Sequence, residues 1–249
     1  MLGYRIFRML GIVFPESANP VTFSFLGVIM AFFLLGVVRD GFIGAFNPPR
    51  DTLAIFGMYQ PAQVLRTWEF WRLMSFGLLH AGIIHLFFNG FAVSQVGPII
   101  ESHIGRSRML VLITLGQLGA AVATHLWYFE FRHSNVPTVG ASGWLFALIG
   151  YGIGGAQHFG VRGFVMRSFF LQWAMYGFLF GLFMGANNAA HFGGFAAGYL
   201  LGFVPIRQIP GRFTWNRVWM TAAGISGVIW VLTLGFMALS IGTQWNVRQ

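Results

Sequence analysis

The chain has 249 residues, 56% of them hydrophobic and only 8% charged, with a net charge of +9 and no cysteine. So little charge cannot cover the surface of a soluble domain of this length, and the lack of cysteine excludes disulfides, thiolate zinc sites and thiol nucleophiles together. All 15 basic residues are arginine, scattered singly or in pairs rather than gathered in a stripe, which fits topology control and lipid headgroups and argues against nucleic acid as a partner.

In chain order, residues 1–20 hold Arg5 and Arg8 but also Pro15, Glu16 and Pro20, and no small-residue cleavage site follows. They read as a short cytoplasmic segment rather than a signal peptide. Apolar runs of about 20 residues, long enough to cross roughly 30 Å of hydrocarbon, then recur. The first is Val21–Val38, closed by Arg39 and Asp40. Residues 41–82 mix Pro48, Pro49, Arg50, Asp51, Pro61, Arg66, Glu69 and Arg72 with aromatics. That stretch is too polar to span and too apolar to float free, so it is predicted to lie in the membrane interface, partly as amphipathic helix. Six further spans are predicted at Ile83–Ile100, Met109–Phe129, Ser142–Gln157, Arg167–Gly185, Ala189–Val204 and Val218–Ile241. The expected fold class is therefore an all-α membrane bundle.

With the N-terminus in the cytoplasm, nine arginines fall on the cytoplasmic side and six outside. Three of those six (Arg50, Arg66 and Arg72) lie in the interfacial segment and Arg39 stands just before it, where the positive-inside rule is weak. Seven spans then put the C-terminus on the non-cytoplasmic side. Spans two, four and six run the same way, so their N-terminal ends share one outer level.

The unusual polar residues sit at those ends. Span four opens with Gly140-Ala141-Ser142-Gly143, span six with Asn187-Asn188-Ala189-Ala190-His191, and span two with His85, followed by Asn89 one turn on. Polar groups inside a membrane bundle are costly and point to function. A serine nucleophile needs a base within hydrogen-bond reach, and His191 can be that base for Ser142 if the two helices approach closely. Gly143, Gly150, Gly152, Gly154 and Gly155 thin one helix, and Gly193, Gly194, Gly198 and Gly202 the other, which favours backbone-to-backbone packing. Asp40, Asp51, Glu69 and Glu101 are poorly placed for a triad and Glu130 is remote, so a Ser–His dyad is expected. The Ser142 N–H at a helix N-terminus, with His85 and Asn89 at i, i+4 spacing, supplies donors for an oxyanion.

Each of these signals has an ordinary explanation by itself. A lone membrane serine bonds back to its own helix, and a lone histidine packs. The conjunction at one depth on three helices favours the catalytic reading. His80, His85 and His191 make a poor metal set, having no anionic ligand beside them. No metal or other cofactor is implied. His103, His125, His133 and His158 fall near span ends or in loops and read as headgroup neighbours.

The stretch from Trp71-Arg72 through His80 to His85-Leu86-Phe87-Phe88-Asn89 resembles the rhomboid pattern of a Trp-Arg pair, a His, and His-x-x-x-Asn. Gly140 to Gly143 resembles the rhomboid Gly-x-Ser-Gly, and His191 with Gly194 and Gly198 its His-x-x-Gly-x-x-x-Gly. The resemblance covers about residues 21–204. It implies a six-helix catalytic core over 21–204, with residues 205–249 forming a linker and an appended seventh helix. It implies Ser142 as nucleophile, His191 as general base, and an oxyanion pocket of His85, Asn89 and the Ser142 N–H. It further implies that Trp71 and Arg72 belong to the lateral interfacial loop and that the loop before span six caps the site. Many members carry Tyr four residues after the nucleophile, stacked on the catalytic His; here Phe146 stands there, able to stack but without the hydroxyl.

The function this implies is intramembrane serine endopeptidase, cutting single-span membrane proteins within or beside the bilayer of a bacterial inner membrane, with membrane lipids as its surroundings. The alternative is a catalytically silent rhomboid-like protein that binds membrane clients. A small transporter, with Gln117 and Gln172 on a polar path, ranks last because no two halves carry matching polar positions.

Overall fold

The structure, a computed structural model, describes residues 19–183, 185–204 and 215–245. The N-terminal segment with Arg5 and Arg8, the linker arginines Arg207 and Arg212, and Arg248 lie outside the described residues. Helix α1 spans Pro20–Gly44, starting on a proline whose missing N–H costs nothing at a first turn. Its path breaks at Gly41, where φ is +75°. Three short helices cross the interfacial segment: α2 (Arg50–Phe56), α3 (Pro61–Thr67) and α4 (Arg72–Ser75). Then come α5 (Ile83–Ile104), α6 (Arg106–Thr124), α7 (Ser142–Gly154), α8 (Gly163–Phe183), α9 (Asn188–Leu201) and α10 (Trp215–Gln244).

Among the described residues, four helices are long and apolar enough to cross a bilayer: Pro20–Gly44, Ile83–Ile104, Arg106–Phe131 and Asn216–Gln244. The third of them continues α6 through a π-helical stretch, His125–Phe131. Spans four and six are shorter than predicted. At 13 and 14 residues, α7 and α9 reach only about 20 Å at 1.5 Å per residue. They end before Gln157 and Val204 because Gly155 and Gly202 close them. Their N-terminal ends therefore need not coincide with a membrane surface.

Helix α7 is the axis of the bundle, with every residue from Gly143 to Gly154 buried. A helix that is apolar all round belongs inside. It lies against α9 along a seam without side chains. A Cβ on Gly194 would overlap the Gly143 carbonyl oxygen, one on Gly198 the Ala147 carbonyl oxygen, and one on Gly150 the Phe195 carbonyl oxygen. Gly193 faces Gly119 of α6, and Gly152 gives room to the Phe170 ring of α8. This is the close approach that small residues permit between membrane helices.

Two polar fastenings were not foreseen. Glu101, 3% exposed, takes hydrogen bonds from Val21 N (3.0 Å), Thr22 N (2.8 Å) and Thr22 Oγ1 (2.7 Å), so the end of α5 caps the start of α1. Arg72 is turned inward rather than anchored at headgroups. Its guanidinium is buried, donates to Glu69 (2.9 Å) and to the Ala54 and Met58 carbonyls, and lies over the Trp71 ring. It ties the end of α2 to the start of α4, and Glu69 beside it is held below the ordinary carboxylate range. Burial alone would raise that carboxyl, but the Arg72 hydrogen bond and charge, with Thr67 and Gln63, outweigh it.

Helix α10 packs on the outside of α1, α6 and α2. Trp230 Nε1 donates to Thr114 Oγ1 (3.0 Å), Ser240 Oγ donates to the Ile55 carbonyl (2.8 Å), and Arg39 reaches the Trp245 carbonyl. The polar path once considered for a transporter is not formed. Gln117 is buried and donates to the Leu73 carbonyl, whereas Gln172 faces outward on α8.

Candidate active site

Ser142 is the first residue of α7, so its N–H has no partner inside the helix. The chain enters through Gly140, whose φ of +131° suits glycine, with its N–H donating to the Phe76 carbonyl (2.9 Å). Just upstream, Thr138 and Tyr59 exchange backbone hydrogen bonds of 2.8 and 3.1 Å, pinning this loop to the interfacial segment. Asn187 caps α9 by accepting from Ala190 N (3.0 Å), and donates to Thr124 Oγ1 (2.9 Å) and Thr138 Oγ1 (3.0 Å). One residue therefore ties the starts of α7 and α9 and the end of α6 together.

His191 follows one turn into α9 and is 4% exposed. Its Nε2 lies 2.8 Å from Ser142 Oγ, and its Nδ1 lies 2.8 Å from Asn188 Oδ1. The Asn188 amide nitrogen faces the Phe178 carbonyl at 3.5 Å, which orients its oxygen toward the imidazole. An oxygen acceptor at Nδ1 places the proton there and leaves Nε2 free to accept from the serine hydroxyl. Asn188 thus stands where a triad has its carboxylate. It was visible three residues before His191, but its role depends on Gly181 of α8, where any Cβ would strike the Asn188 oxygen. Phe146 lies parallel to the His191 ring, with centroids 4.4 Å apart and planes 10° apart, and Phe178 meets the same ring edge-on at 6.1 Å.

His85 and Asn89 approach from α5. Ala81 N donates to His85 Nδ1 (3.3 Å), so the ring carries its proton on Nε2. The point a Cβ on Gly140 would occupy is 2.9 Å from His85 Nε2 and 3.6 Å from Ser142 Oγ. The space that Gly140 leaves open is therefore shared by a donor and the hydroxyl. Asn89 is buried one turn further along α5. Trp71 and Arg72 are not in this pocket; they brace the interfacial segment beside it. Glu130 is not there either, since it pairs with His125 Nε2 at 3.1 Å. The connection from α8 to α9 is only residues 184–187, and residue 184 lies outside the described residues.

A serine hydroxyl bonded to a buried imidazole, beside ring and backbone donors, is equipped for acyl transfer. Comparison with known proteins bears on the same stretch: the model of the Rhomboid domain matches residues 67–208. The chain belongs to the rhomboid family. It is 30% identical over 174 residues to RHOMBOID-like protein 4 of Arabidopsis thaliana, covering 64% of this chain and 40% of that protein. It is 32% identical over 139 residues to the rhomboid protease GluP of Bacillus subtilis, covering 55% and 25% respectively. It is 27% identical over 209 residues to the rhomboid protease GlpG of Enterobacter, covering 81% and 68%. The chain thus spans less than half the length of the first two. At family level it is an integral membrane protein of the intramembrane protease or rhomboid-like kind.

Proposed function

We propose that the protein is an intramembrane serine endopeptidase that cleaves single-span membrane proteins through Ser142 and His191. The observation that carries this reading is the 2.8 Å contact between Ser142 Oγ and His191 Nε2. In the forward step the Ser142 oxygen attacks the scissile carbonyl while His191 Nε2 takes its proton, and Asn188 steadies the Nδ1–H of the imidazolium. The oxyanion is received by the Ser142 N–H and His85 Nε2–H, with Asn89 as the third donor. His191 returns the proton to the leaving amine. A water deprotonated by the same nitrogen then releases the acyl group from Ser142. Phe146 holds the imidazole plane by stacking, with no hydroxyl of its own.

The substrate segment must unwind locally, because a helix hides its carbonyls. Small or helix-weakening residues near the cut are expected. The arginine bias supports a cytoplasmic N-terminus, with the pocket toward the opposite side. Residues 21–204 form the catalytic core in this reading, with the seventh helix, α10, as an addition.

The test is cleavage of a single-span substrate by purified protein in proteoliposomes, followed by gel. Wild type should cut, and Ser142→Ala and His191→Ala should each lose at least about a thousandfold in kcat. Variants that cut as fast as wild type would overturn the mechanism. A wild type that retains clients without cutting them would favour the silent, client-binding alternative.

A further inference from the structure

Thr138 stands four residues before Ser142, and Asn187 four residues before His191. The two side chains meet: Asn187 Nδ2 donates to Thr138 Oγ1 at 3.0 Å. The same nitrogen donates to Thr124 Oγ1 at 2.9 Å, on the last residue of α6. The amide oxygen accepts from Ala190 N at 3.0 Å. Only that orientation of the amide gives the backbone N–H an acceptor. Both amide hydrogens of Asn187 are therefore committed, and the two threonines that receive them are buried.

Capping α9 does not require this. A cap needs only an acceptor, and serine, threonine or aspartate would serve. None of the three carries two donors. The bonds to Thr138 and Thr124 are surplus to the cap, and they join the three elements around the site. Thr138 is itself fixed from the other side by its backbone pair with Tyr59. The chain then runs to Ser142 through Gly140, whose N–H is held by the Phe76 carbonyl at 2.9 Å. His191 lies on the same face of α9 as Asn187, one turn further on.

The glycine seam fixes how closely α7 and α9 approach. It lies below their outer ends, where the reacting pair stands. We propose that Asn187 is a positioning residue: its two amide donors, held by Thr138 and Thr124, set the height of the His191 imidazole against the Ser142 hydroxyl. The proposal rests on the reading of that pair as nucleophile and base. It assigns to an asparagine outside the pair, touching neither of its side chains, the register on which their 2.8 Å contact depends.

Kinetics of the full chain in proteoliposomes test it. Asn187→Ser keeps a cap but loses the paired donors. It should lower kcat at least about tenfold with KM unchanged, because a small misplacement of nucleophile and base is costly. Thr138→Val should lower kcat by a smaller factor, since the Thr124 bond remains. Thr138→Ser, which keeps the acceptor hydroxyl, should match wild type. Added to Asn187→Ser, Thr138→Val should cost nothing further. Wild-type kcat in Asn187→Ser would reduce Asn187 to a helix cap and overturn the proposal. Losses that simply multiply in the double variant would overturn it too. If Asn187→Ser does not fold, the Thr138 pair decides: equal kcat in Thr138→Val and Thr138→Ser overturns the proposal. If wild type itself cuts nothing, the protease reading fails, and crystal structures of Asn187→Ser and Thr138→Val decide the positioning by geometry. A Ser142 Oγ to His191 Nε2 separation beyond about 3.5 Å supports it, and an unchanged 2.8 Å overturns it.

Discussion

Glycine means different things in the centre of this molecule and at its rim. Along the α7–α9 seam, Gly150, Gly194 and Gly198 are sites where a Cβ would run into the opposite backbone. In α10, Gly224, Gly227, Gly235 and Gly242 each have open space where a Cβ would go. The seam is held by the absence of side chains, and it sets the distance between Ser142 and His191. The rim is held by side chains instead: Trp230 on Thr114, Ser240 on Ile55, and Arg72 on Glu69 and the Ala54 and Met58 carbonyls. Backbone contact fixes a spacing that no rotamer change can loosen, while side-chain fastenings allow the interfacial segment and α10 to yield separately.

The largest expected effect comes from closing the seam. Gly198→Ala places a methyl on the Ala147 carbonyl and should cost about 3 kcal/mol, as overpacking does. Thermal unfolding in detergent measures the cost, and the Ser142–His191 contact should be lost with it. A smaller effect separates the regions by pH. Glu69 has a lowered carboxyl pKa in the folded state, so the folded chain binds that proton less readily than the unfolded chain. Its contribution is whole above the ordinary carboxylate pKa of about 4.3 and disappears as pH falls through the lowered folded value. Acid should therefore loosen the interfacial segment, read by tryptophan fluorescence, and Glu69→Gln should flatten that acid limb. The smallest effect is Gly227→Ala on α10, which should stabilise by no more than about 1 kcal/mol. A loss there as large as that of Gly198→Ala would erase the distinction between centre and rim.

What was legible in the sequence follows the same division. The apolar runs located the helices, because composition and length alone decide what a bilayer accepts. The glycine runs announced the seam, because four-residue spacing is a property of one helix. What escaped was long-range. Glu101 caps the first turn of α1 about 80 residues back, and nothing local marks a partner that distant. Arg72 was legible as part of the interfacial loop, but its bonds to the Ala54 and Met58 carbonyls were not, because backbone acceptors carry no side-chain signature. Asn188 stood in plain view, but its bond to His191 depends on Gly181 from another helix. The shortness of α7 and α9 was hidden because Gly155 and Gly202 stop helices within sequence that stays apolar.

The central claim is that the Ser142 hydroxyl is activated by His191. Reaction of the purified protein with a fluorophosphonate probe, and location of the adduct by mass spectrometry, tests it most directly. The account predicts one adduct, on Ser142, that is lost in His191→Ala while the protein remains folded. Labelling elsewhere, or equal labelling of Ser142 without His191, would contradict it.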